Sequence, residues 1–410
     1  MAHISSDRVW VSIDIGTTKI CVLIAHHLTG ESFEILGVGK APSEGLSKGV
    51  VVDIAKTIHS IKEAVKEAEL MAGFPIERAH IGVSGAHIRS LNSHGVVPIR
   101  RGDVHAEDVA NVIASAQAIP IAEGQQVLHV LPQYFVIDGQ EKVKDPIGMY
   151  GIRLEAQVHI VTGSVASVQN VVKCCKMAGI EVGDIILEQL ASADAVLSED
   201  ERELGVAVLD IGGGTSDLAL YQQGNIRHTM VLPIAGNHFT NDIAVGLRTT
   251  LKEAERIKKQ FGLAMIELLK EDDVIEVEMV QGAEKKIILL HDLVNIIQPR
   301  AQELLSLVHE EITKYHLESF MRSGLVLTGG GALLKGMKEQ AEELFKVPVR
   351  VGMPRSFYTL PESLSSPVYS TAYGLLIHAI KKQGSPFMVD DEQFMHRILD
   401  RMKSWVADFF

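Results

Sequence analysis

The chain has 410 residues, of which 46% are hydrophobic and 22% charged, and a formal net charge of −13. That length calls for more than one domain, the composition is that of a globular protein, and the negative balance argues against nucleic-acid binding as a main task. The three cysteines, Cys21, Cys174 and Cys175, form neither a disulfide framework nor a Cys-x-x-Cys metal pattern, and no apolar run is long enough to span a bilayer, so any membrane contact is expected to be peripheral.

In chain order, Val9 to Ile24 reads as apolar strand, turn, apolar strand, with Asp14-Ile15-Gly16-Thr17-Thr18-Lys19 at the turn. A strand at Glu34–Gly39 precedes a loop through Gly49. Asp53 then caps a helix with Ile54, Ile58, Ile61 and Val65 on one face, ending before Gly73. His80–Val83 is a strand. Residues 88–99 alternate loosely, with His94-Gly95 as a turn. A helix over His105–Ala118 has Asp103 as its cap, and the strand runs Val127–Leu131 and Tyr134–Asp138 are interrupted by Pro132. Gly151–Thr162 alternates as a last strand. This β-α-β-β insert, residues 84–164, carries no phosphate motif. It is either decoration or a binding module, and surface that a nucleotide site does not need favours binding.

Ser164 caps a helix through Ala178, followed by a short strand at Ile185–Glu188 and a small-residue helix at Gln189–Val196, suited to close packing at a hinge. The acidic stretch Ser198–Glu203 marks a boundary. Beyond it the first pattern returns: strand Val206–Ile211, turn Gly212-Gly213-Gly214-Thr215, strand to Tyr221. Glycines there let backbone N–H groups approach an anion that a Cβ would block. Asp210 and Asp217, with Asp14 in the first copy, suit a hydrated divalent metal riding on phosphates, and Lys19 adds a cation. A strand rather than a helix follows each turn, which is not the P-loop pattern. Lys252–Phe261 is a strong helix with Glu255 and Lys258 three apart on one face. Ile275–Leu289 reads as a strand pair. The next helix starts after Gln298-Pro299-Arg300 and runs to about Leu317, with Leu304, Leu307, Val308 and Ile312 inward. Strand Gly324–Thr328 leads to a third glycine turn, Gly329-Gly330-Gly331, opening a helix. Ser365–Leu376 makes a second small-residue hinge helix.

Residues 381–393 are polar and read as a flexible linker, spanning roughly 20 Å on average. In residues 394–410, apolar side chains including Trp405, Phe409 and Phe410 fall on one helical face, and Arg397, Arg401 and Lys403 on the other. A helix packed on the body has the same periodicity. The linker before it and the pairing of bulky aromatics with basic residues favour an interfacial membrane anchor.

The two hairpins and the third glycine turn resemble the actin-like ATPase superfamily. The motifs Asp14–Lys19, Leu209–Asp217, Ala254–Lys258, Leu327–Ala332 and Tyr369–Gly374, with the insert and the tail, resemble the FtsA family of bacterial cell-division actin homologues across the whole chain. The resemblance implies an α/β actin-like fold, two related domains around a nucleotide cleft, with the insert as subdomain 1C. On that pattern residues 1–83, 165–200 and 366–380 form subdomain 1A. Residues 201–235 and 320–365 form 2A, and 236–319 form 2B. It implies ATP and Mg²⁺ as ligands, Glu188 orienting the attacking water, Glu255 and Lys258 toward the ribose and base, and at most slow hydrolysis. It also implies self-assembly into filaments, docking of the FtsZ C-terminal tail at Arg300 and Glu303, and recruitment of later division proteins through the insert. The expected location is the cytoplasmic face of the membrane at the division site. A pilus-assembly actin homologue or a sugar-kinase-like enzyme is the alternative.

Overall fold

The computed structural model describes residues 9–28, 33–140, 142–270, 273–279, 285–355 and 361–384. The first sheet opens with the meander β1 (Val9–Ile15), β2 (Lys19–His27) and β3 (Phe33–Pro42). A small ladder of β4 (Leu46–Ser47) and β5 (Val50–Val51) follows, then α1 (Ile54–Ala72) and β6 (Arg78–Val83). The Asp53 side chain accepts from the Lys56 N–H, and Gly73 closes α1 in the left-handed region at φ 83°.

The insert comprises β7 (Arg89–Pro98), α2 (Ala106–Gln117), β8 (Gln125–Ile137) and β9 (Arg153–Ser164), in sheet order β7-β9-β8. Three local expectations give way here. His94-Gly95 is no turn but the middle of β7: any Cβ on Gly95 would overlap the Val112 carbonyl and Ala116 of α2, so the glycine marks a close helix–strand approach. Pro132 does not break β8, because β8 is an edge strand whose register shifts at Val127/His129 and Pro132/Tyr134 absorb the missing N–H. Asp103 does not cap α2. His105 occupies that position, its N–H donating to Asp108 Oδ2 at 3.0 Å, while Asp103 bridges to Tyr150. Val109, Val112 and Ala116 close the insert's own core against Leu154, Ala156 and Val158.

The chain returns through α3 (Val165–Met177) and β10 (Glu181–Leu187), completing the sheet β10-β6-β1-β2-β3. The hinge helix α4 (Glu188–Val196) begins at Glu188, so that residue opens a helix and does not end the strand. After α5 (Glu199–Leu204) come β11 (Val206–Ile211), β12 (Ser216–Gln222) and β13 (Asn225–Leu232), then α6 (Gly236–Leu247) and α7 (Leu251–Phe261). The hairpin β14 (Val274–Glu278) and β15 (Lys285–Leu289) leads into α8 (Leu290–Lys314). The sequence predicts a helix that starts after Gln298-Pro299-Arg300, yet α8 runs straight through Pro299. One proline costs an N–H bond and a clash. The continuous buried stripe Leu293, Ile297, Ala301, Leu304, Leu305, Val308 and Ile312 outweighs it, with Leu305 fully buried and Leu307 only half-buried. The last elements are β16 (Leu325–Thr328), α9 (Met337–Phe345), β17 (Val349–Val351) and α10 (Ser370–Gly384). The third glycine turn opens only a 3₁₀ turn, Gly330–Leu333, and α9 starts at Met337. Helix α10 reaches Gly384, so the first four residues of the expected linker are helical.

The second sheet, β13-β12-β11-β16-β17, repeats the topology of the first: two antiparallel pairings on one side of the leading strand, two parallel pairings on the other. Helices α4 and α10 lie between the sheets, where Ala193, Val196, Ala372 and Leu376 share one core with Leu23 of the first sheet and Val208 and Ala219 of the second. The insert is also tied to the second sheet. Ser90 Oγ donates to the Thr229 carbonyl at 2.8 Å, Gln133 Nε2 to the Arg227 carbonyl at 3.0 Å, and His159 Nε2 lies 2.8 Å from Thr229 Oγ1.

Candidate functional site

The repeated topology brings the two hairpin turns face to face. In each, the first glycine N–H donates back across the turn, Gly16 to the Lys19 carbonyl at 3.1 Å and Gly212 to that of Thr215 at 2.9 Å. A Cβ on Gly213 would overlap the Thr18 side chain, and one on Gly214 would overlap that of Thr17. The glycines are thus required by the close approach of the two domains. Behind the turns opens a cavity of about 510 Å³, the size of a small-molecule site. Gly16, Thr17, Thr18, Lys19, Gly212, Gly213, Gly214 and Thr215 border it, as do Gly329, Gly330 and Gly331, and Glu255 and Lys258 on α7. Asp14, Asp210, Asp217 and Glu188 border it too. Gly329 sits at φ 79°, where a Cβ would strike Asp210, whereas a Cβ on Gly330 would meet nothing nearer than Val368 at 4.0 Å and would point into open cleft.

The cleft is crowded with acid. Burial and then the negative neighbours Asp14, Asp217 and Asp210 push the Glu188 carboxyl well above its ordinary range. Burial also raises Asp14, against the pull of Lys19 at 3.5 Å, and carries Asp217 to about 7 despite the hydrogen bond from Ser84. Such a cluster fits a cation. Among the described residues no three acidic, histidine or cysteine groups converge closely enough to chelate one directly, so the carboxylates suit a cation that keeps its water shell. Lys19 Nζ donates to the Val368 carbonyl at 2.5 Å and lies 4.8 Å from the centre of the Tyr369 ring, which holds it beside the turn. Lys258 Nζ contacts Glu255 at 2.6 Å, Thr240 Oγ1 at 2.8 Å and the Gly236 carbonyl at 2.9 Å, which fixes the α7 pair at the cleft wall.

Arg300 and Glu303 lie apart from this cleft on α8. Arg300 grips Asp242 of α6 through Nε at 2.6 Å and Nη2 at 3.1 Å and also pairs with Glu303, so its guanidinium is engaged within the chain. Arg397, Arg401, Lys403, Trp405, Phe409 and Phe410 lie outside the described residues. Sequence reasoning misses the partners of the two acids: Ser84 and Gln189 donate to Asp217, and Ser192 and Thr371 to Asp210. The small-residue pattern marks the hinge helices but does not say that their hydroxyls turn toward the acids. Lys335, also at the cleft, carried no motif.

Two sheets of one topology, each presenting a glycine hairpin to a shared cleft, define the actin/Hsp70-like fold. Among solved structures the chain is similar to a PilM–PilN type IV pilus biogenesis complex, at TM-score 0.65 and 18% identity, covering 90% of this chain and 98% of that one. It is also similar to MreB5 of Spiroplasma citri bound to AMPPNP, at TM-score 0.58 and 17% identity, covering 92% and 98%. At those identities the likeness is one of fold. The family described as "Cell division protein FtsA" matches residues 207–374, and the "SHS2 domain inserted in FTSA" matches residues 85–162, the insert. The cell division protein FtsA of Pseudomonas aeruginosa is 45% identical over 419 aligned positions, covering all of both chains. That of Escherichia coli K12 is 39% identical over 383 positions, covering 92% of this chain and 91% of the relative. The chain belongs to the FtsA family of actin-like cell-division proteins.

Proposed function

We propose that the cleft binds ATP with Mg²⁺ and that the protein holds FtsZ at the cytoplasmic face of the cell membrane, at the division site. The contact of Gly213 and Gly214 with Thr18 and Thr17 carries the nucleotide half of this reading. Glycine turns brought that close let backbone N–H groups approach an anion that a Cβ would block. Gly16–Lys19 and Gly212–Thr215 bind the phosphates, Glu255 and Lys258 face the sugar and base, and Gly329–Gly331 give the nucleotide close access to backbone. Asp14, Asp210 and Asp217 orient the water shell of the cation. The cation itself would neutralise phosphate charge. Glu188 orients a water for slow hydrolysis.

The remaining assignments follow the family. The bodies are 1A (1–83, 165–200, 366–380), 1C (84–164), 2A (201–235, 320–365) and 2B (236–319). The FtsZ tail docks on 2B around Arg300 and Glu303, exchanging contacts with the Asp242 pair on arrival. Filaments form between copies, later division proteins meet the 1C insert, and residues 394–410 attach to lipid.

Asp210→Ala removes an acceptor for the metal's water, and Gly330→Asp puts bulk and negative charge where the cleft is open. Both should weaken Mg-dependent binding of a fluorescent ATP analogue by roughly tenfold or more. Wild-type affinity in both variants would end the nucleotide assignment.

A further inference from the structure

Asp210 belongs to β11 of the second sheet, yet the groups that fix it stand on the hinge helices. Ser192 Oγ of α4 donates to Asp210 Oδ2 at 2.5 Å, and Thr371 Oγ1 of α10 donates to the same oxygen at 3.0 Å. The two hydroxyls are 3.1 Å apart. Oδ1 receives neither and lies on the side of Gly329, where a Cβ would collide with it. Two donors on one oxygen fix the plane of a carboxylate and leave the other oxygen to accept from a ligand or a water. Packing alone does not need these hydroxyls, because α4 and α10 already meet through Ala191 and Gly374. Asp217 repeats the arrangement, with Ser84 Oγ and Gln189 Nε2 both donating to its Oδ1.

We propose that Ser192 and Thr371 are positioning residues that aim Asp210 at the water shell of the nucleotide-bound cation. Their place on the hinge makes that aim depend on how the two domains sit about it. The inference rests on the nucleotide reading above. Partners behind a metal contact typically change metal affinity by about 10–100-fold when removed. A contact made through water should fall at the lower end of that range.

Thr371→Val keeps the volume and loses the hydroxyl, and Thr371→Ser keeps the hydroxyl. With Ser192→Ala they form a set that separates hydrogen bonding from packing. Each full-length protein is given a fluorescent ATP analogue, and binding is followed as MgCl₂ is raised, then repeated in EDTA. Thr371→Val and Ser192→Ala should each raise the Mg²⁺ midpoint several-fold, and together roughly tenfold. Thr371→Ser should stay near the wild type, and affinity in EDTA should be the same in all. Wild-type midpoints in the two hydroxyl-free variants overturn the proposal. So does an equal loss with and without Mg²⁺, since the hydroxyls would then shape the cleft only. A wild-type protein whose binding ignores Mg²⁺, or that binds no analogue, would instead overturn the nucleotide–metal reading itself. If Ser192→Ala, at a fully buried position, does not fold, the Thr371 pair on a half-buried side chain decides alone.

Discussion

Glu188 opens α4, and its Cγ stands so near β6 that a Cβ on Gly82 would press on it at 3.0 Å. Burial and then the three neighbouring aspartates raise its carboxyl well above the ordinary range, against the pull of Lys19. Positive charge arriving beside it would lower it again and favour the carboxylate that a base needs. Glu188→Ala should therefore slow single-turnover phosphate release by roughly a hundredfold and leave ATP affinity intact. Equal rates in variant and wild type would remove Glu188 from the chemistry. His159, between the insert and β13, tests a different kind of burial. Desolvation, with a smaller push from His228, lowers it to about 3 from an ordinary 6.5. Between those values the unfolded chain takes up a proton that the folded chain refuses. Stability therefore falls as pH drops below about 6.5, by about 1.4 kcal/mol per pH unit for this one group. Urea midpoints at pH 7.5 and 5.5 should fall further in the wild type than in His159→Gln. The same fall in both would show that His159 does not set the acid sensitivity.

At the scale of elements, the hinge is a contact of backbone on backbone. A Cβ on Gly374 of α10 would overlap the Ala191 carbonyl of α4, so the two helices touch backbone to backbone. Gly374→Ala should push them apart and cost roughly 1–3 kcal/mol, or more if the helices do not yield. Because Ser192 and Thr371 ride on those helices, Mg-dependent nucleotide binding should weaken with it. A thermal melt and an analogue titration on one preparation check both, and a loss of stability with full binding would separate hinge from site. The same glycine explains what could be read beforehand. Runs of Ala, Ser and Gly in Gln189–Val196 and Ser365–Leu376 announce close helix packing, and Asp-Ile-Gly occurring twice announces two hairpins, because each depends on local residue size and backbone freedom. The glycine turns at the cleft are legible for that reason. The passage of α8 through Pro299, the continuity of β7 through Gly95 and of β8 through Pro132 are not. At Pro299 and Gly95 a local breaker is overruled by burial against other elements, and at Pro132 an edge position with register shifts absorbs the missing N–H. The hydroxyl contacts of Ser192 and Thr371 with Asp210 span 18 and 161 positions, and no periodicity encodes a contact between separate domains.

At the scale of the whole molecule, the function proposed depends on residues 394–410. Read as a helix, their sequence would put Trp405, Phe409 and Phe410 on one face and Arg397, Arg401 and Lys403 on the other with Asp400 and Asp408. The two aspartates offset much of the attraction to anionic lipid, so insertion of apolar side chains must supply most of the binding. Burying each large apolar side chain contributes roughly 1.5–3 kcal/mol. Replacing Trp405 and Phe409 together by Glu should remove several kcal/mol and add repulsion from the lipid. A single helix of this length binds reversibly, whereas copies joined in a filament present many such helices to one surface, and their joint affinity rises steeply. Membrane attachment should therefore follow assembly. Protein assembled with ATP should float with liposomes of mixed neutral and anionic lipid, and protein without nucleotide should float poorly. The double Glu variant should still bind the ATP analogue and the FtsZ tail peptide, yet remain in solution. Flotation of that variant at the wild-type level would show that the tail is not the anchor. Flotation of the wild type to the same extent with and without ATP would leave the anchor in place and remove its coupling to assembly.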